Sequence, residues 1–176
     1  MINKGIHILV IGLALAHSSF AQSTNDSTGN RPRYLIDETR YFSLLLGFNF
    51  WKENYGELGI AYNQYGTLGH HPMAKAVFFS NEFKIDATKT VIGPKIGVWA
   101  AGGSGIIAMG LNLIYYTNFD EATLRFRPEI GMGVNGCKIV YGYNIVVNNK
   151  SSILINDHNL GIVVLFKLKK LKTVQH

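Results

Sequence analysis

Few residues of this chain have the types and spacing that chemistry requires. The adjacent pair His70-His71 could bind a metal, but no Cys, Asp or Glu nearby completes a ligand set. His158 could act in a Ser-His site only if the fold brought a serine beside it, and no GxSxG motif accompanies it. The candidate serines are Ser43, Ser80 and Ser104. We therefore predict no catalytic residue, no metal site and no cofactor.

Charged residues instead recur at every second position inside apolar stretches. In ATLRFRPEIGMG, residues 122–133, the apolar residues, including Phe126, occupy every second position and form one phase of the alternation. Arg125, Arg127 and Glu129 occupy positions of the other phase. Side chains alternate between faces along a strand, so one face of this segment is apolar and the other is charged. Such a strand suits either a soluble sandwich or a barrel embedded in lipid.

The same alternation returns from Tyr41 to the C-terminus in eight segments, separated by turns such as AAGGSG and NNKSS. No 3.6-residue period of helix length occurs in this region. Short strands at this spacing predict an antiparallel sandwich or barrel. The third segment, PMAKAVFFSNEFKI, is the least regular, because Phe78 would share the face of Ser80 and Glu82.

The apolar face is too large to fill the interior of an eight-stranded barrel, which is just wide enough for side chains. The opposite face is rich in small residues, such as Gly59, Ala61, Gly97 and Gly110, which suits a tight interior. It also carries nearly all the strand charges, whereas on the apolar face only Lys75 stands out. We predict that the apolar face points towards lipid, where a basic residue at mid-bilayer would cost about 2–4 kcal/mol.

The sequence thus predicts an all-β fold: an eight-stranded antiparallel transmembrane β-barrel, built as an up-and-down meander. The residues predicted to face lipid include Phe42, Phe48, Ile96, Leu111, Phe126 and Phe166. The predicted lumenal charge network consists of Glu57, Glu82, Lys95, Arg125, Arg127, Glu129 and Lys138. We expect Glu129 to be its centre and expect the charges to pair, because an unpaired buried charge is costly. Since small barrels are packed, the network is expected to fill the lumen rather than to form an ion path.

Aromatic residues near the strand ends are candidates for the interfacial girdles of such a barrel. They are Trp51, Trp99, Tyr115, Tyr116, Tyr141 and Tyr143. Two prolines, Pro94 and Pro128, fall inside predicted strands, where they cannot donate to a hydrogen-bonded ladder. We therefore expect local β-bulges at both prolines.

The N-terminus has the pattern of a secretory signal peptide. It contains Lys4, an apolar run over residues 6–16 and a small-x-small cleavage site at 19–21. We predict cleavage after Ala21 and export. The expected organisation is a signal peptide at 1–21, a periplasmic lead-in at 22–39, the barrel at 40–171 and a C-terminal tail at 172–176.

The chain is basic but sparsely charged. It has 17 Lys and Arg against 11 Asp and Glu, and only 16% of its residues are charged, compared with about 25% in ordinary soluble domains. Part of the excess is the run KLKKLK that begins at Lys167. In an exported protein, this run favours a solvated end or a phosphate-rich lipid surface over nucleic acid. The single cysteine, Cys137, excludes an internal disulfide.

Several stretches resemble the small outer-membrane β-barrel proteins of Gram-negative bacteria. They are AQ after the signal, GPKIG at 93–97, RPEIGMG at 127–133, YGYN at 141–144 and HNLGIVVLFKLKKL at 158–171. The resemblance covers the mature chain and implies an eight-stranded barrel in the outer membrane, without catalytic residues. Many such barrels end in an aromatic residue that the insertion machinery reads, whereas this chain ends LKTVQH, so Phe166 is the candidate for an internal version of that signal.

The sequence leaves several functions open. The first is a non-catalytic outer-membrane barrel with a structural or surface adhesion role, monomeric and in contact with outer-membrane lipids and the insertion machinery. The others are a narrow channel or small-ligand barrel, a lipid-modifying barrel enzyme that uses His158, and a soluble periplasmic lipid-binding barrel. The direction in which Phe48, Leu111 and Phe126 point distinguishes the last of these from the membrane proteins.

Overall fold

The computed structural model describes residues 37–68, 71–85, 90–103, 106–134, 136–148 and 155–175, which belong to one compact unit, Tyr34–His176. The predicted signal peptide and most of the predicted lead-in lie outside the described residues. The described residues form β1 Asp37–Phe50, β2 Tyr55–Leu68, β3 His71–Lys84, β4 Ile92–Gly102, β5 Ile107–Thr117, β6 Ala122–Val134, β7 Cys137–Tyr143, β8 Ile145–Asn148 and β9 His158–Gln175. Within these ranges there is no helix with the length and apolarity to cross a membrane.

All nine strands belong to one antiparallel sheet, as the alternating sequence predicts. From β1 to β7 each strand pairs with the next strand in the chain, and β9 pairs with both β7 and β1. Eight strands therefore form a closed ring. The short strand β8 pairs with β6 beyond the end of β7.

The ring closes with a stagger along its strands. Successive cross-strand partners lead from Thr39 through Tyr65, Ala74, Ala101, Ala108, Gly131, Val140 and Gly161 to Asn49. The path thus returns to β1 ten residues beyond its start, at residue 49 instead of 39. A closed sheet with this stagger must have strands that are tilted relative to the ring axis, typically by about 35–45°.

The seventh predicted segment is divided into β7 and β8 at Asn144. Both strands pair with β6. Residues of β7 pair with β6 from Glu129 onwards, and residues of β8 pair with β6 up to Phe126, so Arg127 and Pro128 lie between the two paired regions. Pro128 has no N–H to donate, and the break in pairing lies beside it. The expected bulge at Pro128 is wrong, because β6 keeps one register with β5 from Ala122 to Met132, on both sides of the proline.

The expected bulge at Pro94 is also wrong. Pro94 is aligned with Asn81 on β3, and Ile92 and Lys95 pair with β5 in a single register. The paired positions between β4 and β5 skip from Ile92 to Lys95, so a gap in the ladder accommodates the missing donor. Register shifts occur instead where β9 meets β1, between Arg40 and Tyr41 and between Phe42 and Ser43, and where β8 meets β6, between Leu124 and Arg125.

The two faces of the ring carry opposite chemistry. Large apolar side chains on the outer face are exposed, among them Phe42, Phe48, Ile96, Leu111 and Phe166, while Phe126 is half-buried on the same face. Trp99 and Tyr116 differ from the predicted surface girdle, because they are only 4% and 1% exposed inside the ring. Their position follows from alternation, since they share the inward phase of Lys95 and Asn112.

Two apolar clusters fill the interior. The larger contains Leu45, Ala61, Ala74, Ala76, Phe78, Trp99, Ala101, Ala108, Val140, Val163 and Leu165. The smaller lies towards the end of the ring that bears the β1–β2 turn and contains Tyr55, Val91, Ile114 and Tyr116. Glu57 lies between Tyr55 and Ala61 along the chain, and Lys95 lies between Val91 and Trp99, so at these positions buried charges separate the two apolar clusters.

The sheet extends beyond the predicted boundaries of 40–171. The first strand begins at Asp37, inside the predicted lead-in, and the last ends at Gln175, inside the predicted tail. These extensions pair with each other, so alternating hydrophobicity alone underestimates the strand length.

Candidate functional site

Glu82 lies at the centre of the buried charge cluster. Its Oε1 accepts hydrogen bonds from Arg127 Nη1 at 2.7 Å, Lys95 Nζ at 2.9 Å and Asn49 Nδ2 at 3.1 Å. Its Oε2 accepts hydrogen bonds from Arg127 Nη2 at 3.1 Å and from the Tyr116 hydroxyl. The sequence predicts Glu129 as the centre, and the structure corrects this, because Glu82 gathers the donors of β1, β4, β5 and β6.

Lys95 joins Glu82 to a second carboxylate, Glu57. Its Nζ lies 2.8 Å from Glu57 Oε2, and Ser80 Oγ donates to Glu57 Oε1 at 2.6 Å. Glu57 and Glu82 are direct cross-strand neighbours on β2 and β3. Like charges in such positions repel, and Lys95, on the next strand, compensates for both.

Glu129 forms a second centre on the opposite wall. Its Oε2 lies 2.6 Å from Lys138 Nζ, and its Oε1 lies 4.0 Å from Arg127 Nη1. The ammonium group of Lys138 also lies 5.6 Å from the ring centre of Phe78 and 5.9 Å from that of Trp99. Both rings belong to the larger apolar cluster, so the charge layer rests on aromatic faces that can interact favourably with cations.

The cluster is balanced in charge. Three carboxylates, of Glu57, Glu82 and Glu129, lie within ion-pair distance of Lys95, Arg127 and Lys138. Arg125 was predicted in the same network but lies apart from it. Although Arg125 is only 5% exposed, its ion pair is with Asp157 near the start of β9, at 3.9 Å.

Asparagines connect the cluster to one end of the ring. Arg127 Nε donates to Asn144 Oδ1 at 2.8 Å, and Asn144 Nδ2 donates to the Asn156 carbonyl at 2.6 Å. Asn156 in turn accepts hydrogen bonds from the backbone N–H groups of Lys52 and Glu53. The segment before β9 is thereby tied to the β1–β2 turn.

A small residue makes room for the central arginine. A Cβ at Gly142 would lie 3.0 Å from Arg127 Cγ, so the stem of Arg127 crosses the neighbouring strand where that strand has no side chain. This close approach gives a specific reason for glycine on the inner face, where a larger residue would displace Arg127 from Glu82.

Sequence reasoning missed several polar members of the cluster. Tyr116, Asn49 and Asn144 bond the charged groups directly, and Ser80 bonds Glu57. A usable signal existed, because each of them shares the inward phase of its strand. Which inward residues meet, however, depends on the stagger of the ring.

The histidine candidates do not form a catalytic site with the described serines. His158 is exposed, and its Nδ1 lies 2.6 Å from the Tyr141 hydroxyl. Its ring is 5.5 Å from that of Trp51 and 5.1 Å from that of Tyr143, between ring centres. Ser43 and Ser80 are buried inside the ring. Tyr115, the remaining predicted girdle residue, is exposed on the outer face.

The metal candidate is also isolated. His71 is exposed, while its neighbour His70 and the serine Ser104 lie outside the described residues. Among the residues that the structure describes, no group of three His, Cys, Asp or Glu side chains could hold a metal ion. Cys137 is a free, exposed thiol on β7.

The buried cluster can order the interior but offers little surface to a substrate. None of the seven charged residues predicted for it, including Arg125, is more than 6% exposed. Comparisons of the chain with protein-family models, with curated proteins and with solved structures find no match. The two faces of the ring, one apolar and exposed and the other charged and buried, are the features that bear on function.

Proposed function

We propose that this chain is an integral outer-membrane β-barrel of eight strands whose lumen is closed by side chains, with a structural or adhesion role and no catalytic one. The observation that carries the proposal is the inversion of the two faces. Glu82, Lys95 and Arg127 are fully or almost fully buried inside, whereas Phe48 and Leu111 are 41% and 43% exposed outside. In water, an exposed apolar surface of this extent would drive association. In lipid it is the favourable arrangement.

The packing of the interior favours a closed barrel over a channel. A conducting path would have to pass the apolar layer that includes Phe78 and Trp99 on one side of the charges and the layer that includes Tyr55 and Tyr116 on the other. The charges between the layers are neutralised by close ion pairs. Because the pairs are mutual, no member is left as a free site for a permeating ion.

The two remaining alternatives have less support. A soluble lipid-binding barrel needs an apolar cavity and a polar outer face, which is the reverse of the distribution described above. A lipid-modifying enzyme needs a nucleophile near His158, and the described serines Ser43 and Ser80 are inside the ring. We propose that the protein contacts outer-membrane lipids and the insertion machinery, acts as a monomer, and has both ends of the barrel sequence on the periplasmic side.

Fractionation and gel mobility test this proposal. The full chain is expressed in a Gram-negative host, and the outer-membrane fraction is analysed by gel electrophoresis in mild detergent, with and without boiling. We expect a band in that fraction whose mobility changes on boiling, as for a closed barrel that resists the detergent. A protein found only in the soluble periplasmic fraction, without a mobility change, would overturn the proposal.

Conductance separates the closed barrel from the channel. Purified protein that passes the gel test is inserted into planar lipid bilayers, and the current is recorded over a range of voltages. We expect no steady conductance, because apolar layers close both sides of the charge cluster. Reproducible unitary currents at low protein concentration would instead support the narrow channel.

A further inference from the structure

A continuous row of basic and polar residues crosses four neighbouring strands on the outer face. Lys172 on β9 pairs with Arg40 on β1, Arg40 with Gln64 on β2, and Gln64 with Lys75 on β3. Cross-strand partners share a face, and this face is the one that carries Phe42. These four residues, called the basic row below, lie near the end of the ring where β1 begins and β9 ends.

The basic row lies directly beside an apolar one. Two residues further along the strands, Phe42, Tyr62 and Val77 are consecutive partners with exposures of 37%, 44% and 52%, and Lys169 continues their row on β9. The outer face therefore changes from apolar to basic over two residues along β1, β2 and β3. Lysine and arginine at such a boundary can bury their stems against apolar groups and extend their charges into the headgroup layer.

The positive charges of this surface are poorly compensated by the protein itself. Arg40 and Lys172 lie directly opposite each other, where like charges repel. Glu38 Oε2 is 3.7 Å from Arg40 Nη2. Among the described residues no carboxylate lies within ion-pair distance of Lys75, Lys169 or Lys172. An anion that reached Arg40 and Lys172 together would relieve the repulsion.

We propose that Arg40, Lys169 and Lys172 bind the phosphate of an anionic phospholipid in the leaflet at this end of the barrel, with Lys75 adding positive charge to the same headgroup layer. The inference rests on the proposed membrane function. A guanidinium group presents two parallel N–H donors to phosphate oxygens, and ammonium groups add point charges. The tilt of the strands places Lys75 at a different height from Lys172, and the flexible lysine stems bring both charges to one layer.

The same strand supplies a matched control. Lys167 and Lys170 pair with Ser43 and Tyr41, so they belong to the inward phase of β9. Lys167 Nζ lies 4.5 Å from the ring centre of Tyr65, which holds its charge towards the mouth of the ring. Replacing these two lysines removes the same charge from the same strand as replacing Lys169 and Lys172, but from the other face.

Lipid selectivity tests the proposal. Wild type, K169Q/K172Q and K167Q/K170Q are reconstituted in phosphatidylcholine vesicles that contain spin-labelled phosphatidylglycerol or spin-labelled phosphatidylcholine. The fraction of label immobilised at the protein surface is measured by electron spin resonance. We expect wild type to prefer phosphatidylglycerol by about threefold at low salt, with a weaker preference at high salt. K169Q/K172Q should lose most of this preference, and K167Q/K170Q should retain it.

Each outcome has a defined meaning. Equal preference for both lipids in wild type, or equal losses in both double variants, would overturn the phosphate site while leaving the barrel proposal intact. Failure of all three proteins to insert and to show heat-dependent gel mobility would instead overturn the barrel proposal itself. Heat-dependent mobility of each variant confirms that a lost preference does not reflect misfolding.

Discussion

Substitution of Glu82 by Gln is the most direct perturbation of the buried cluster. Glu82 bridges Arg127 and Lys95, but the two cations depend on it unequally. Lys95 keeps Glu57 at 2.8 Å, whereas the remaining ion-pair contact of Arg127 is Glu129 at 4.0 Å. Removing one partner of a buried pair typically costs about 3–5 kcal/mol. We expect E82Q to lower the free energy of unfolding by about this amount, because Arg127 keeps its charge without a close counter-ion.

The matched control makes the same change at the surface. Glu53 pairs with Lys84 at 2.9 Å, and its side chain is 30% exposed. Lys84 is 11% exposed, so the pair is only partly solvated. Loss of a surface ion pair costs about 0–1 kcal/mol, and E53Q should lie near the upper end of this range, well below E82Q. Both variants are unfolded with urea in the same lipid vesicles, and the folded fraction is followed by gel mobility of unboiled samples. A stability of E82Q within about 1 kcal/mol of E53Q would contradict the expected effect of burial on the cost of losing a counter-ion.

A second substitution tests whether the uncompensated charge causes the loss. E82Q/R127M removes one carboxylate and one guanidinium group, so the remaining cluster keeps Lys95 with Glu57 and Lys138 with Glu129. Replacement of both members of a buried pair is often neutral or even stabilising. We expect the double variant to be more stable than E82Q. A double variant less stable than E82Q would show that packing around Arg127, rather than charge, dominates.

Further predictions concern packing, the exposed histidine and the outer face. A Cβ at Gly131 would lie 2.7 Å from the Val140 Cα, whereas at Gly56 the nearest atom would be 3.6 Å away, so G131A should lose about 1–3 kcal/mol in urea unfolding and G56A little. Y141F removes the hydroxyl contact to the exposed histidine and should cost less than about 1 kcal/mol in the same assay. In a cysteine-free background, a fluorophore on L111C should be quenched by lipids labelled along their chains, and one on F119C in the exposed β5–β6 turn should not; equal quenching would contradict the assigned faces.

The alternating pattern predicts which way a side chain points much better than which side chains meet. It identifies the strands around Phe126 and Arg127 and the inward phase of Glu82 and Lys95. A period of two residues is a local property, so it can be read from one strand at a time. Trp99 and Tyr116 lie inside the ring although aromatic residues near strand ends are typical of interfacial girdles, because the alternation along the strand, and not the residue type, determines the face.

Contacts inside the ring depend on how the strands pair and on the stagger of the ring, which the sequence of a single strand does not specify. Glu82 rather than Glu129 is the centre because the stagger brings Arg127 of β6 to the carboxylate of β3. The division between β7 and β8 at Asn144 depends on what Pro128 of the facing strand can donate. The register shifts of β9 are likewise set by its partner β1. Each of these features depends on the pairing of segments that are distant in the chain. The sequence predicts the residues that take part but not which of them pair.

The buried ion pairs also favour one strand register over others that would leave the same apolar residues on the outer face. A slip of one residue would turn Phe126 inwards and Arg127 outwards, which burial alone disfavours. A slip of two residues keeps every side chain on its face, so the alternation of apolar and polar residues cannot oppose it. Such a slip would move Lys95 by about 7 Å along its strand, two rises of about 3.4 Å, away from both Glu57 and Glu82. We infer that the charge cluster stabilises the observed stagger against these even slips, which explains why a closed interior retains three acids and three bases where apolar side chains would also fill the space.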